Sequence, residues 1–345
     1  MGRKTKNVNI TRIALEAGVS EATVSRVLNH RTNVGESTRR KVNAIARKYG
    51  FTPVSPSFER RKIGILVGEP NFNDYLSEVL NGIYQYALGN NLLEICVIFK
   101  TTSTGRSSLK RIRDQQCAGI IVIEAAAYDG IAVELADTEL PVVFLDEEIH
   151  LEGIGFIDHD SYFGSRKATE HLLGLGHKKI AYIESGFRSS NHFQRLKAFE
   201  NAMSEAGLTI RPEWIAKASS GDDGLQGGYD EMRRLLHDFP EITAVMTSND
   251  IIATGAIKAV FDFGMRIPED MSVIGFDNYK STAFSVPALT TVNHPMREAG
   301  YLAVKHIDLY LKNGANETLP QTVLPTSLVI RDSVASPRSD AGAPP

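Results

Sequence analysis

The residues best placed to do chemistry lie near the start of the chain, in the run Ser20-Glu21-Ala22-Thr23-Val24-Ser25-Arg26-Val27-Leu28-Asn29-His30-Arg31. That chemistry is recognition rather than bond-breaking. An arginine offers two parallel donors to guanine O6 and N7, a glutamate accepts from a cytosine amino group, and a methyl side chain packs on the thymine methyl. Arg26, Glu21 and Ala22 supply these types, with Ser25 beside them. Ser20, Thr23 and Ser25, with Asn29, His30 and Arg31 beyond, suit phosphates, which fix register without reading sequence; Thr11 joins this DNA-binding set. The catalytic alternatives lack their constellations. The nine histidines are scattered, with no HExxH and no Cys/His set of zinc spacing. Gly153-Ile154-Gly155 and Gly227-Gly228 match no phosphate loop, and Ser185-Gly186 and Ser248 stand in no nucleophile elbow. The expectation is a protein that is not an enzyme, with no cofactor and no metal.

Presenting those side chains to a major groove requires a helix held across another helix. Ile10, Ile13, Ala14 and Ala17 recur at helical spacing over Val8–Gly18, and Gly18 fits the left-handed residue that ends a helix. Ser20 suits the N-cap of a second helix, Glu21–Leu28. A connection of Gly18-Val19-Ser20 makes the pair a helix-turn-helix, with Val19, Val24, Val27 and Leu28 as core. A third helix, about Ser37 to Tyr49, puts Val42, Ile45, Ala46 and Tyr49 on one face and five cations on the other.

Charge supports the division. The 345 residues sum to −3, yet residues 1–62 hold fourteen Lys and Arg against four acids, a net of +10, which leaves −13 on the rest. A basic head on an acidic body is the footprint of a nucleic-acid module joined to something with another task. No apolar run approaches the roughly 20 residues of a membrane span. The basic start leads into no signal-peptide core, so a cytoplasmic protein is expected. Cys96 and Cys117 adjoin apolar runs and read as buried free thiols.

From Lys62 onward short apolar runs alternate with helical patterns. Strand-like runs are Ile63–Val67, Leu92–Phe99, Gly119–Ile123, Val142–Leu145, Gly155–Ile157, Lys179–Ile183, Ala244–Thr247 and Val273–Phe276. Helices are expected over Leu76–Gly89, Ser108–Gln116, Ser161–Leu175, Phe193–Ala206, Leu225–His237, Ile251–Phe263 and Met296–Lys312. Such alternation argues for an α/β fold with parallel sheets covered on both faces. The length argues for two lobes, and ligands of such sheets bind outside the strands' carboxyl ends.

The head resembles the DNA-binding domain of the lactose/galactose-repressor (LacI/GalR) family along Val8–Asn29, with Val34, Thr38–Val42 and Tyr49-Gly50-Phe51-Thr52-Pro53 continuing the pattern. The body resembles that family's two-lobed, periplasmic-binding-protein-like effector domain. Pro141–Asp146, Leu175–Ile183, Asn249-Asp250, Ile267–Asn278 and Pro287–Val292 carry the match. The resemblance runs from residue 8 to about 332. It implies a head at 1–52, a linker at 53–62 and an effector domain at 63–332. The first lobe would take about 63–160 and 292–324, the second about 161–291 and 325–332, and 333–345 reads as a disordered tail.

The linker departs from the family, which usually carries a hinge helix with a Leu wedge. Pro53–Lys62 has no Leu and has Pro56 where a helix would run. A very short helix with Phe58 or Val54 as the wedge and Arg60 and Arg61 on phosphates, and an extended spacer, both stay open.

The resemblance also implies an effector site of Tyr75, Arg195, Asn249, Asp250 and Asp277, with Glu147, Arg188 and Asp223 less securely aligned. Acids, an amide and an arginine satisfy vicinal hydroxyls while an aromatic face covers a sugar ring, so a neutral sugar is the expected ligand. Plainer roles compete: Asn249 as a helix cap, Asp277 as a turn cap, Arg195 as a solvated residue and Tyr75 as core. The expected function is a transcriptional regulator, a repressor by preference, binding a palindromic double-stranded operator as a homodimer under effector control. The alternative is a sugar-binding receptor with no DNA-linked role.

Overall fold

The computed structural model describes residues 10–28, 34–49, 61–68, 74–90, 93–99, 106–123, 130–138, 140–186, 189–218, 224–314 and 317–338. Asn29, His30, Arg31, Arg188, Asp223 and the linker through Arg60 fall outside these residues.

The head is three helices, α1 (Ile10–Ala17), α2 (Glu21–Leu28) and α3 (Glu36–Lys48). Ile13, Ala14, Ala17, Val24, Val27, Leu28, Val42 and Ala46 form its core, while Val19, Ile45 and Tyr49 are only partly buried against it. Gly18 turns α1 into α2 at φ +67°, and the Val19 amide then donates to Ala14 O at 3.1 Å. Ser20 caps α2, its Oγ accepting from the Thr23 amide at 3.1 Å.

The body alternates strand and helix from β1 (Arg61–Val67) through α4 (Asp74–Gly89), β2 (Leu93–Phe99), α5 (Arg106–Asp114) and β3 (Gly119–Ile123). It continues through α6 (Ile131–Ala136), β4 (Val142–Leu145), β5 (Ile154–His159), α7 (Ser161–Gly174) and β6 (Ile180–Glu184). Next come α8 (Ser190–Glu205), β7 (Ile215–Lys217), α9 (Leu225–Asp238), β8 (Ala244–Thr247), α10 (Asp250–Asp262), β9 (Ser272–Asp277) and β10 (Thr290–Asn293). The chain ends through α11 (Met296–Asn313), β11 (Gln321–Leu324) and β12 (Ser327–Val329).

Two six-stranded sheets result, ordered β11-β5-β4-β3-β1-β2 and β12-β10-β9-β8-β6-β7. All pairings are parallel except β10 with β12. Apolar clusters cover both faces of each sheet. The chain passes between the sheets after His159, after Asn293 and after Leu324. In the first lobe α4 and α11 touch backbone to backbone: a Cβ on Gly82 would sit 1.9 Å from Arg297 O, and one on Gly300 2.2 Å from Val79 O.

Several expectations change. The short elements α6, β7, β10, β11 and β12 went unseen because so few residues carry no period. Arg61 was expected on phosphate in one reading of the linker. It instead opens β1 and pairs with buried Asp308 at 3.4 Å. Cys117 is buried and Cys96 half-buried; both are free. The tail expected to be disordered from residue 333 is fixed through Arg338. Ser333 is fully buried, accepting from the Val273 amide through its carbonyl and from the Thr290 amide through Oγ. Ala335 bonds Ser272 through its amide and His177 Nε2 through its carbonyl. Hydrogen bonds to residues of the second lobe 43 or more positions away hold this segment, and composition does not register them.

Candidate functional site

Parallel strands deliver their last residues to one end of a sheet, and here the two sheets face each other across such ends. β4 delivers Asp146, β5 delivers Asp158 and His159, β9 delivers Asp277, and β10 delivers His294. The first turn of α7 adds Ser161, and the first two turns of α8 add Asn191 and Arg195. Asp146, Asp277 and Asn278 take positive φ (58°, 117° and 57°). Such backbone costs about 1–3 kcal/mol per residue and concentrates at binding sites.

Arg195 is the hub of the second lobe and is only 4% exposed. Its Nη1 donates to Ser248 O at 2.6 Å, Nε to Ser161 Oγ at 3.2 Å and Nη2 to His159 Nε2 at 3.1 Å. Nη1 also lies 3.6 Å from Asp277 Oδ1, and the guanidinium covers the Phe276 ring at 3.6 Å. The solvated-residue reading of Arg195 is thereby corrected.

Asp146 Oδ1 accepts from His159 Nδ1 and from His294 Nε2, each at 3.0 Å. The two imidazoles stack with centroids 3.7 Å apart, and Tyr75 stacks on His294 at 5.7 Å. The other nitrogen of His294 faces Asp277 at 3.4 Å, and His159 Nδ1 also lies 3.3 Å from Asp158. From the second lobe Asn191 Nδ2 donates to Asp146 O at 3.0 Å and to Asp158 Oδ1 at 2.9 Å. Burial alone would lift the Asp146 carboxyl, but His294 and His159 hold it well below its usual range. Burial works against charge on His294 too, yet Asp146 and Asp277 raise it to about 9. Glu147, half-buried beside this cluster, is pushed up first by burial and then by Asp158. A pocket of about 570 Å³ opens against Asp277, Asn278 and His294, walled by Glu78 and Gln85 of α4 and by the first turns of α11.

Tyr75, Arg195, Asp277 and Glu147 thus converge on the cleft. Asp250 and Asn249 are used differently. Asp250 is fully buried, Oδ2 accepting from the Tyr279 amide at 2.9 Å and Oδ1 from Thr291 Oγ1 at 2.6 Å. Its carboxyl is raised to about 8 by burial and then by Asp277. Asn249 caps α10, Oδ1 accepting from the Ile252 amide at 2.9 Å. Sequence reasoning did not assign Asp146, Asp158, His159, Asn191 or His294 to the site. A signal was present for three of them: Asp146, Asp158 and His159 stand at the ends of the apolar strand runs Val142–Leu145 and Gly155–Ile157.

In the head, Thr11, Ser20, Glu21, Ala22 and Arg26 are exposed, while Thr23 and Ser25 are half-buried. Ser20 and Thr23 also bond each other through their hydroxyls at 2.8 Å.

A cationic three-helix reader and a two-lobed α/β body with polar strand ends define a class, the ligand-responsive DNA-binding regulators. Residues 9–54 match the lacI family of bacterial regulatory proteins, and residues 169–334 match the periplasmic binding protein-like domain. The chain is 32% identical to the ribose operon repressor of Haemophilus influenzae, over 94% of this chain and 98% of that one. It superposes on a LacI-family regulator of Enterococcus faecium with bound ribose at a TM-score of 0.69 and 26% identity, covering 80% of this chain and 99% of that one. The lac repressor dimer bound to operator and an anti-inducer aligns at 0.67 and 25% identity, covering 96% of this chain and all of that one. The chain belongs to the lacI family of bacterial regulatory proteins and is a DNA-binding transcriptional regulator. No helix among the described residues is long and apolar enough to cross a membrane.

Proposed function

We propose that the chain is a homodimeric repressor that binds a palindromic operator, one head per half-site, and holds a neutral sugar between its lobes. The observation that carries the ligand class is the balance of the cleft. Asp146, Asp158 and Asp277 outnumber the two cations among them, the Arg195 guanidinium beside Asp277 and His294, which is raised to about 9. A second anion from a phosphate or carboxylate ligand would be repelled, whereas hydroxyls can donate to the carboxylates and accept from Arg195. Tyr75 provides the flat apolar face. The ribose-bound relative and the ribose operon repressor support this class. The chain crosses between the sheets after His159, Asn293 and Leu324, so the second crossing falls two residues later than the expected 291–292 boundary; Asp158 and His294 adjoin two of these crossings, where lobe closure changes their spacing. Thr11, Ser25, Arg26, Glu21 and Ala22 read or position the operator, with Ser20 and Thr23 at the cap and Asn29, His30 and Arg31 on phosphates. Effector and operator affinities are then reciprocally coupled.

The test is a thermal-shift screen of ribose, other monosaccharides, oligosaccharides, nucleosides and sugar phosphates, because a bound ligand raises apparent stability. A neutral sugar should raise the melting temperature and alter operator binding, and Asp277→Ala should lose both responses while still binding operator. A shift given only by sugar phosphates would refute the neutral class.

A further inference from the structure

The cleft brings together a set of side chains that no sequence spacing announces. Asp146, His159 and His294 come from β4, β5 and the turn after β10, and their ligand atoms all lie within 4.8 Å of one another. Both imidazole nitrogens approach the same carboxylate oxygen at 3.0 Å. Bonds of about 2.0–2.1 Å in a tetrahedron put neighbouring ligand atoms roughly 3.3 Å apart, near the 3.0 Å spacings here; a cation replaces the shared hydrogens once the two rings, stacked at 3.7 Å, turn out of parallel so that both lone pairs meet it. The outer surroundings fit as well. The far nitrogen of His294 faces the Asp277 carboxylate at 3.4 Å and that of His159 faces Ser161 Oγ at 2.9 Å. Such partners orient metal-bound imidazoles.

We propose that Asp146, His159 and His294 form a site for one divalent transition cation of tetrahedral preference, Zn²⁺ above all. A fourth position is left for water or for a hydroxyl of the effector. The cation takes the place of the protons between Asp146 and the two rings. The His159 ring hydrogen then resides on Nε2, where Ser161 Oγ accepts it. The contact from Arg195 Nη2 to that nitrogen is the hydrogen bond the loaded state gives up. Asp146 and His159 close strands of the first lobe and His294 stands in a crossover, so a bound cation pins the junction at which the lobes turn. The ligand set mixes imidazole nitrogen with carboxylate oxygen, which favours Zn²⁺ over Mg²⁺ or Ca²⁺.

The test uses the full chain, stripped with chelator and titrated with ZnCl₂ by calorimetry, and in parallel with CoCl₂ by visible absorption. Wild type should take up one equivalent per chain, with the intense Co²⁺ bands of four-coordination. His159→Gln and His294→Gln should each weaken binding by about 100-fold and abolish those bands. Circular dichroism and melting curves show whether each variant is folded, and the wild-type spectrum stands even if one is not. Absence of binding by wild type, or equal uptake by folded variants, overturns the site. Neither DNA nor sugar enters the titration, so a negative result leaves the operator and effector reading intact, and a failed sugar screen leaves this one intact.

Discussion

In the head, Glu21, Ala22 and Arg26 stand in solvent, while Ile13, Val24, Val27 and Val42 beneath them make the core. In the cleft, Arg195, Asp277, His159 and His294 are nearly all buried, and each touches at least two of its neighbours. A DNA-reading surface can keep its side chains free because its partner arrives as a large surface that supplies its own partners. A small-molecule site buried between lobes must satisfy its polar groups internally when empty, since an unpaired buried charge costs several kcal/mol. Substitutions should therefore act on stability in the cleft and on binding alone in the head.

The largest effect should come from Arg195→Ala. It removes the donor to Ser248 O, Ser161 and His159 and takes the guanidinium away from Asp277. Loss of one partner of a buried pair costs about 3–5 kcal/mol, read as a lowered urea midpoint of the body. Retention of the wild-type midpoint would remove Arg195 from its place as hub.

Next in size is Asp250→Ala, which strands the Tyr279 amide and the Thr291 hydroxyl in the interior. Unpaired buried donors cost about 1–3 kcal/mol each. The pH dependence has a definite sign. The folded carboxyl sits at about 8, above its usual 3.8. Its contribution is therefore complete below the unfolded value and lost as pH rises through the folded one. The gap between wild type and variant should narrow from pH 5 to pH 9; a gap that stays constant would mean the buried carboxylate is charged throughout.

The head supplies the third test. Arg26→Ala should weaken specific operator binding by about 1–3 kcal/mol and spare binding to random duplex. Folding midpoints should not change, since Arg26 is exposed. Equal loss on both duplexes would move Arg26 from bases to phosphates.

The same contrast explains what was legible from sequence. Helix period and Gly18 locate the head because its determinants lie within a few residues of one another. The strand runs locate the sheets for the same reason. The cleft depends on contacts over long separations, such as Asp146 with His294 and Asn191 with Asp158. Each residue alone looks like an ordinary loop polar group. Asp250 shows the converse: its place in a recognised motif suggested a ligand contact, yet its oxygens brace β10 and the turn after β9. The segment from Ser333 to Arg338 was missed because contacts far apart in sequence hold it, from Ser333 Oγ to Thr290, from Ala335 to Ser272 and His177, and from Arg338 to Asp270.

The smallest effect should be that of Ser20→Ala. Ser20 Oγ accepts from the Thr23 amide and bonds the Thr23 hydroxyl, so it both starts α2 and fixes how Thr23 stands. Loss of an N-cap costs about 1 kcal/mol of helix stability. In the head that is read as faster amide exchange in α2, with the body's midpoint unaffected. Because α2 also carries Glu21, Ala22 and Arg26, fraying its first turn should weaken specific binding more than random-duplex binding. If the loss falls equally on both duplexes while exchange in α2 is unaltered, Ser20 acts on phosphate and the cap is secondary.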